Sequence, residues 1–144
     1  MKKIVLTLFA VAIILTGCGG SDSSSNKEEE PVTTWTTKSG QTCKVFTETP
    51  DDYKTAIMAT VEELVPGAEA DLSKKEWPFS QYDDGMVEVA FPVTKDDGYE
   101  NGATILMKFT DDKHESYEVH YLKVGPDVYR DTGAYNSDAY SEAE

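Results

Sequence analysis

Three stretches of the chain alternate apolar and polar residues with a period of two, and this pattern limits the possible folds more than any other feature. They span residues 86–93, 103–110 and 116–124. A period of two is typical of a β-strand with one buried face, and the links between the stretches carry Asp-Gly and Asn-Gly pairs or are short and polar, as in hairpins. The pattern predicts an antiparallel meander with one apolar face. That face is expected to contain Val87, Val89, Phe91, Val93, Ala103, Ile105, Met107, Phe109, Tyr117, Val119 and Tyr121.

A single helix is predicted to cover that face. The run Thr49-Pro50-Asp51-Asp52 supplies a capping threonine, a first-turn proline and two acidic residues for the positive helix end. Pro66-Gly67 ends the segment. Because so short a helix is marginal alone, its apolar stripe must pack on the sheet, with Glu62 and Glu63 in water. The stripe consists of Tyr53, Ile57, Val61, Leu64 and Val65.

Further short segments are predicted to extend the sheet. Residues 33–37 and 42–47 are rich in β-branched residues and flank a turn at 38–41, which suggests a hairpin. Val128-Tyr129 adds one more short contact after the meander. Pro92 has no N–H to donate and is therefore expected on an edge strand or at a strand end.

These elements predict an α+β domain over residues 32–131, with one helix packed on an antiparallel sheet of three to five strands. Residues 132–144 are acidic, small and polar, and are predicted to be a disordered tail. The element order, a Pro-Gly-Ala after the helix (66–68) and an Asp-Thr-Gly near the end (131–133) resemble small cystatin-like and PepSY-like exported domains. No functional residue carries over from this resemblance.

The start of the chain has the layout of a secretory signal peptide. Lys2 and Lys3 form a basic tip, and residues 4–15 form an apolar run that only Thr7 interrupts. This run is about a dozen residues long, whereas a membrane-spanning helix needs about 20. It ends in Leu15-Thr16-Gly17-Cys18, which resembles the lipobox of bacterial lipoproteins.

The lipobox resemblance implies cleavage before Cys18, acylation of this cysteine with chains such as palmitate, and anchoring at the extracytoplasmic face of the cell membrane. Residues 1–17 are then the signal peptide, and residues 18–31 are the lipidated cysteine and a disordered tether without aromatic or aliphatic residues. The alternative is an ordinary cleaved signal peptide with a chance cysteine nearby.

The charge of the chain excludes some partners. Its 144 residues carry a formal charge of −14, and removal of the signal peptide leaves 11 basic against 27 acidic residues, a net charge of −16. Such a charge repels nucleic acid and anionic lipid headgroups. After lipidation of Cys18 only Cys43 remains as a thiol, so no intramolecular disulfide is expected. We expect a monomer that contacts the membrane through Cys18.

The sequence contains no HExxH, Walker loop, GxSxG or Cys-x-x-Cys motif. Cys43 and His120 could form a nucleophile–base pair if the fold joined them, but a small buried apolar role is favoured for the cysteine. Residues 74–79 contain Trp77 and Phe79 and could be a recognition loop; a plug that seals the core is favoured. We therefore predict no catalytic residue, no metal and no cofactor.

Acidic pairs occur in the turns. Asp83-Asp84 and Asp111-Asp112 should meet at one end of the meander, and Asp96-Asp97 with Glu100 and Asn101 lies at the other. Calcium takes several oxygen ligands, so the first end is the better candidate for this ion. Asp and Gly also simply form turns, and this explanation is favoured.

The sequence thus predicts a non-enzymatic binding or accessory domain on a membrane-anchored lipoprotein, with an extracytoplasmic protein partner possible. Two alternatives stay open. One is an exported inhibitor or immunity-type protein that acts on a protein partner, and the other is an enzyme whose site the sequence does not reveal.

Overall fold

The computed structural model describes residues 29–71 and 77–144. The predicted signal peptide, Cys18 and most of the predicted tether lie outside these residues, as do Lys74 and Lys75. The described chain forms one α-helix, α1 (Asp51–Leu64), and eight strands. The strands are β1 (Thr33–Thr36), β2 (Thr42–Phe46), β3 (Ala68–Ala70), β4 (Phe79–Tyr82), β5 (Val87–Lys95), β6 (Glu100–Phe109), β7 (Tyr117–Val124) and β8 (Asp127–Asp131).

All eight strands belong to one antiparallel sheet. Its order is β1-β2-β4-β5-β6-β7-β8, and β3 pairs with β5 beyond the end of β4. The predicted α+β architecture, with a helix on an antiparallel sheet, is confirmed, but the predicted number of three to five strands is wrong. The strands β3 and β4 have only three and four residues, which is too short for alternation to distinguish them from loops.

The helix packs its apolar stripe on one face of the sheet, as predicted. Ile57 and Val61 are almost completely buried, whereas Glu62 and Glu63 are exposed. Burial of each such aliphatic side chain is worth about 1.5–3 kcal/mol. The main core on this face contains Tyr53, Ala56, Ile57, Val61, Val65, Ala68, Trp77, Phe79, Val87, Val89, Phe91, Val93, Ala103, Ile105, Met107, Leu122 and Val124.

Trp77 and Phe79 serve as the plug that was favoured over a recognition loop. Both are buried, and the Trp77 ring packs 5.2 Å from that of Phe91. The Thr49 hydroxyl donates to the Trp77 carbonyl at 2.9 Å, so this threonine fastens the plug instead of capping α1. Pro50 occupies the N-cap position, and no side chain caps the helix.

Pro92 lies inside β5, and not at an edge as the sequence predicted. It pairs with Gly102 of β6 on one side. On the other side of β5, the pairing with β4 ends at Val89, and the pairing with β3 starts only at Val93. The missing N–H therefore falls in the gap between two short partner strands, where no ladder bond is lost.

A β-bulge in β7 turns Tyr121 to the face of the sheet opposite to the predicted one. Leu106 pairs with Tyr121 and Met107 pairs with Val119, so His120 is an extra residue on β7. The bulge reverses the alternation, and Tyr121 therefore faces away from α1 while Leu122 joins the main core. Strict alternation along 116–124 predicted the opposite.

The second face of the sheet is also covered, by residues 134–142, which we call the C-terminal strap. Tyr135 stacks on Tyr121 with ring centroids 4.1 Å apart, and Tyr140 packs edge-on against Tyr82 at 4.9 Å. The backbone N–H of Lys38 donates to the Ser141 carbonyl at 2.8 Å. The structure thus differs from the predicted disordered tail over 132–144, because the tyrosines find an apolar surface that local composition does not reveal.

The strap closes a second, smaller core. Its buried members are Cys43, Tyr82, Met86, Leu106 and Tyr121. In the described ranges, no helix combines the length and apolar composition needed to cross a bilayer.

Candidate functional site

An open groove of about 600 Å³ lies between the second half of α1 and the β7–β8 hairpin. It exists because α1 covers the centre of the sheet and leaves β8 and the first half of β7 only partly covered on that face. A groove of this size suits a small ligand or a short peptide. Its lining residues are Thr60, Glu63, Leu64, Tyr117, Glu118, Val119, His120, Arg130 and Thr132.

The floor of the groove is apolar. Leu64, Tyr117 and Val119 are each half-buried and pack against the main core from its rim. The Thr60 hydroxyl donates to the Ala56 carbonyl at 2.8 Å and lies 3.4 Å from the Tyr117 hydroxyl. The floor therefore offers an apolar ligand group both contact area and a hydroxyl at its margin.

His120 reaches the groove because of the β7 bulge. Without this extra residue the side chain would point to the opposite face from Val119. Its Nδ1 lies 3.3 Å from the Thr132 Oγ1, and its Nε2 lies 3.5 Å from a Glu118 carboxylate oxygen. The Thr132 backbone N–H donates to the His120 carbonyl at 2.9 Å and holds the two residues side by side.

Arg130 forms the basic part of the β8 wall. It pairs across the ladder with Leu122, whose side chain faces α1, so the Arg130 side chain lies on the same side. It is the only arginine in a chain whose other basic residues are lysines. Within residues 29–71 and 77–144 its guanidinium has no ion pair and no hydrogen bond.

The hydroxyl, imidazole and carboxylate of Thr132, His120 and Glu118 follow the order of a nucleophilic triad. The Thr132 hydroxyl, however, donates to the His120 carbonyl at 3.2 Å. The 3.5 Å contact between His120 and Glu118 is longer than a good hydrogen bond. In this arrangement the hydroxyl donates to a carbonyl, so the hydrogen bond through which a base activates a nucleophile is not formed.

The structure does not bring Cys43 and His120 together. Cys43 is on β2 and His120 on β7, with β4, β5 and β6 between them, which places them about 19 Å apart across the sheet. Cys43 is completely buried, and burial raises the pKa of its thiol to about 11. A thiol with this pKa stays protonated at neutral pH and is a poor nucleophile.

The acidic turn residues accept hydrogen bonds from backbone N–H groups. A carboxylate oxygen of Asp83 accepts from the Thr42 N–H at 2.7 Å, and Asp84 accepts from the Met86 N–H at 2.9 Å. Asp111 accepts from three N–H groups of its own turn, which holds the pKa of its carboxyl below the usual range. These bonds fit the favoured turn-forming role, and no group of three potential metal ligands occurs in the described part of the chain.

His114 joins the β6–β7 turn to the start of α1. Its backbone φ is +59°, its ring stacks on Phe109 at 4.1 Å, and its Nδ1 pairs with the Asp52 carboxylate. Left-handed backbone at a residue other than glycine is uncommon and costs roughly 1–2 kcal/mol. The stacking and the contact with Asp52 hold His114 in this conformation and join the turn to the helix.

A larger hollow, of about 1010 Å³, lies on the other side of α1 near Met58, Glu69 and Lys95. Its lining includes Asp71, the last described residue before the gap at 72–76. The described lining of the groove beside β8 comes from α1, β7, β8 and Thr132, well away in sequence from the gap at 72–76, and we therefore take it as the candidate site.

Sequence reasoning considered His120 only in a disfavoured pair with Cys43. It did not single out Arg130 or Thr132, and it named Glu63 only as a water-facing helix residue. Arg130 could have been noticed in the sequence because it is the single arginine beside twelve lysines. Comparison of the chain with protein-family models, with curated proteins and with solved structures finds no match.

Proposed function

We propose that this protein is a membrane-anchored bacterial lipoprotein whose extracytoplasmic domain binds a ligand in the groove between α1 and the β7–β8 hairpin. The observation that carries the binding role is the groove itself, in which polar side chains converge around an apolar floor. Such an arrangement is typical of small-ligand sites. The anchor rests on the lipobox Leu15-Thr16-Gly17-Cys18.

The position of the groove supports this proposal. The described chain enters the sheet at β1, and the groove lies beside β8 at the opposite edge. Six strand spacings separate these edges, roughly 25–30 Å. A domain tethered through its N-terminal segment would therefore keep the groove clear of its point of attachment.

The anchor is tested by comparing the wild-type protein with the Cys18→Ser variant. The wild type should partition into the detergent phase and carry the mass of its acyl chains, and the variant should do neither. Wild-type protein in the aqueous phase without an acyl mass increment would contradict the anchor.

The binding role is tested by NMR. Small carboxylates, phosphates, sugars and short peptides are titrated into the full chain while backbone amide shifts are recorded. At least one class should shift the amides of Leu64, Val119 and Thr132. Shifts that avoid these three residues for every class would contradict the groove as the binding site.

An inhibitor or immunity-type function is a second candidate, because β8 is an edge strand in the described sheet and Val128 on it is 51% exposed. A partner protein could add a strand there. Val128→Lys should then weaken binding of that partner and leave shifts from groove ligands unchanged.

A further inference from the structure

Two opposite charges line the two walls of the groove. Glu63 belongs to the α1 wall and Arg130 to the β8 wall. Neither side chain has an ion pair or hydrogen bond to the described residues, although both line the same groove. An apolar floor, formed by Leu64, Tyr117 and Val119, lies between the walls.

The α1 wall attracts positive charge for a second reason. The last turn of the helix contains Glu62 and Glu63 and no basic residue. Carboxylates are unfavourable at this position because the free carbonyl groups already make the helix C-terminus negative. An ammonium group at this wall would relieve that repulsion.

The β8 wall has the opposite preference. Arg130 presents a planar set of N–H donors that matches a carboxylate in two-point fashion. Thr132, two residues further along the same side of the chain, lines this wall beside His120, and its hydroxyl donates to the His120 carbonyl. The Glu118 carboxylate lies 3.5 Å from His120, so its charge is directed at the imidazole and not at Arg130.

We infer that the groove binds a zwitterion: an amino acid or a short peptide with free ends, its ammonium group at Glu63, its carboxylate at Arg130 and an apolar side chain on the floor. This inference rests on the proposed binding function and assigns its ligand class. The groove volume of about 600 Å³ accommodates a dipeptide.

The experiment uses the full chain and four probes: the dipeptide Leu-Leu, its N-acetyl form, its C-terminal amide and free leucine. The N-acetyl form lacks the positive charge and the amide lacks the negative charge. Affinities come from NMR titration of the groove amides. Each modified dipeptide should bind at least about tenfold more weakly than Leu-Leu, the effect of losing one charged hydrogen-bond partner.

Two variants test which wall binds each charge of the ligand. Arg130→Gln should weaken Leu-Leu about tenfold and leave the affinity of the amide unchanged. Glu63→Gln should weaken Leu-Leu similarly and leave the N-acetyl form unchanged. The matched controls are Lys123→Gln, on the other face of the same hairpin, and Glu69→Gln, at the hollow on the other side of α1; each should change affinity less than twofold.

The titration with free leucine shows whether the ligand is an amino acid or a peptide. Binding of leucine as tight as that of Leu-Leu identifies a free amino acid as the ligand, and much weaker binding identifies a peptide. Equal binding of all three dipeptides, with shifts at the groove, would overturn the zwitterion and leave the binding function standing. A variant effect no larger than its control, or no groove shift with any probe, would also overturn it.

Discussion

The hydroxyl of Tyr140 ties the C-terminal strap to the rest of the domain, and removing it tests whether the strap is an integral part of the fold. It donates to the Asp84 carboxylate at 2.6 Å, while its ring packs against Tyr82. The Tyr140→Phe variant keeps the ring and loses the hydrogen bond. Because Asp84 still accepts from the Met86 N–H, no buried charge is left unsatisfied.

The expected loss is therefore that of one partly exposed hydrogen bond, about 1 kcal/mol. If the strap melts with the domain, this loss lowers the melting temperature by about 3–5 °C. Tyr99→Phe makes the same chemical change at a side chain that is 74% exposed, and it should leave the melting temperature unchanged.

Hydrogen exchange separates loosening of the strap from global unfolding. The N–H groups of Lys38 and Ser39 donate to carbonyls of the strap at 2.8 and 3.1 Å. In Tyr140→Phe they should exchange about fivefold faster, which corresponds to 1 kcal/mol. Exchange of Lys38 and Ser39 at wild-type rates, with an unchanged melting temperature, would refute the conclusion that Tyr140 holds the strap in place.

Three further substitutions test the core and the turns. Burial raises the pKa of Glu88 in the folded state. The contribution of this group to the free energy of unfolding is therefore greatest below its unfolded pKa of about 4.3, and it is lost as the pH rises through the folded pKa. Glu88→Gln should melt at a higher temperature than the wild type at neutral pH but not in acid. Gly67→Ala should cost about 1–2 kcal/mol in a denaturant titration because φ is +75° there, whereas Gly102→Ala, without positive φ, should cost much less. Val61→Asp buries an unpaired carboxylate and should abolish the cooperative melt, while Glu63→Gln should change stability by only a few tenths of a kcal/mol; identical melts of both variants would contradict the assigned core face.

The helix and the meander could be predicted because their signals are local. Ile57 and Val61 repeat at helical spacing, and in the stretches 86–93 and 103–110 every second residue is apolar. Each pattern marks an apolar face that must be buried, whichever other element packs on it. The sequence therefore indicated the central layer and its helix without knowledge of long-range pairing.

The rest depends on contacts between distant parts of the chain. The strap has two tyrosines among small polar residues, and only docking on Tyr82 and Tyr121 makes it ordered structure. The same holds for the groove. One inserted residue, His120, changes which side chains of β7 face α1, and a period-two pattern has no means of marking such an insertion.

The way the chain enters the sheet determines how the domain would respond to a pulling force. In a chain held at Cys18, tension would reach β1 first, at the N–H of Val32 that donates to the Val45 carbonyl at 2.8 Å. The hydrogen bonds of the β1–β2 ladder would then open one at a time as far as Thr36, whose carbonyl accepts from the N–H of Ala143, the residue after the strap, at 2.9 Å. Release of the four residues of β1 would add roughly 14 Å of reach. Because β1 contributes no residue to the main core under α1, release of β1 under tension would lengthen the N-terminal tether and leave the groove intact.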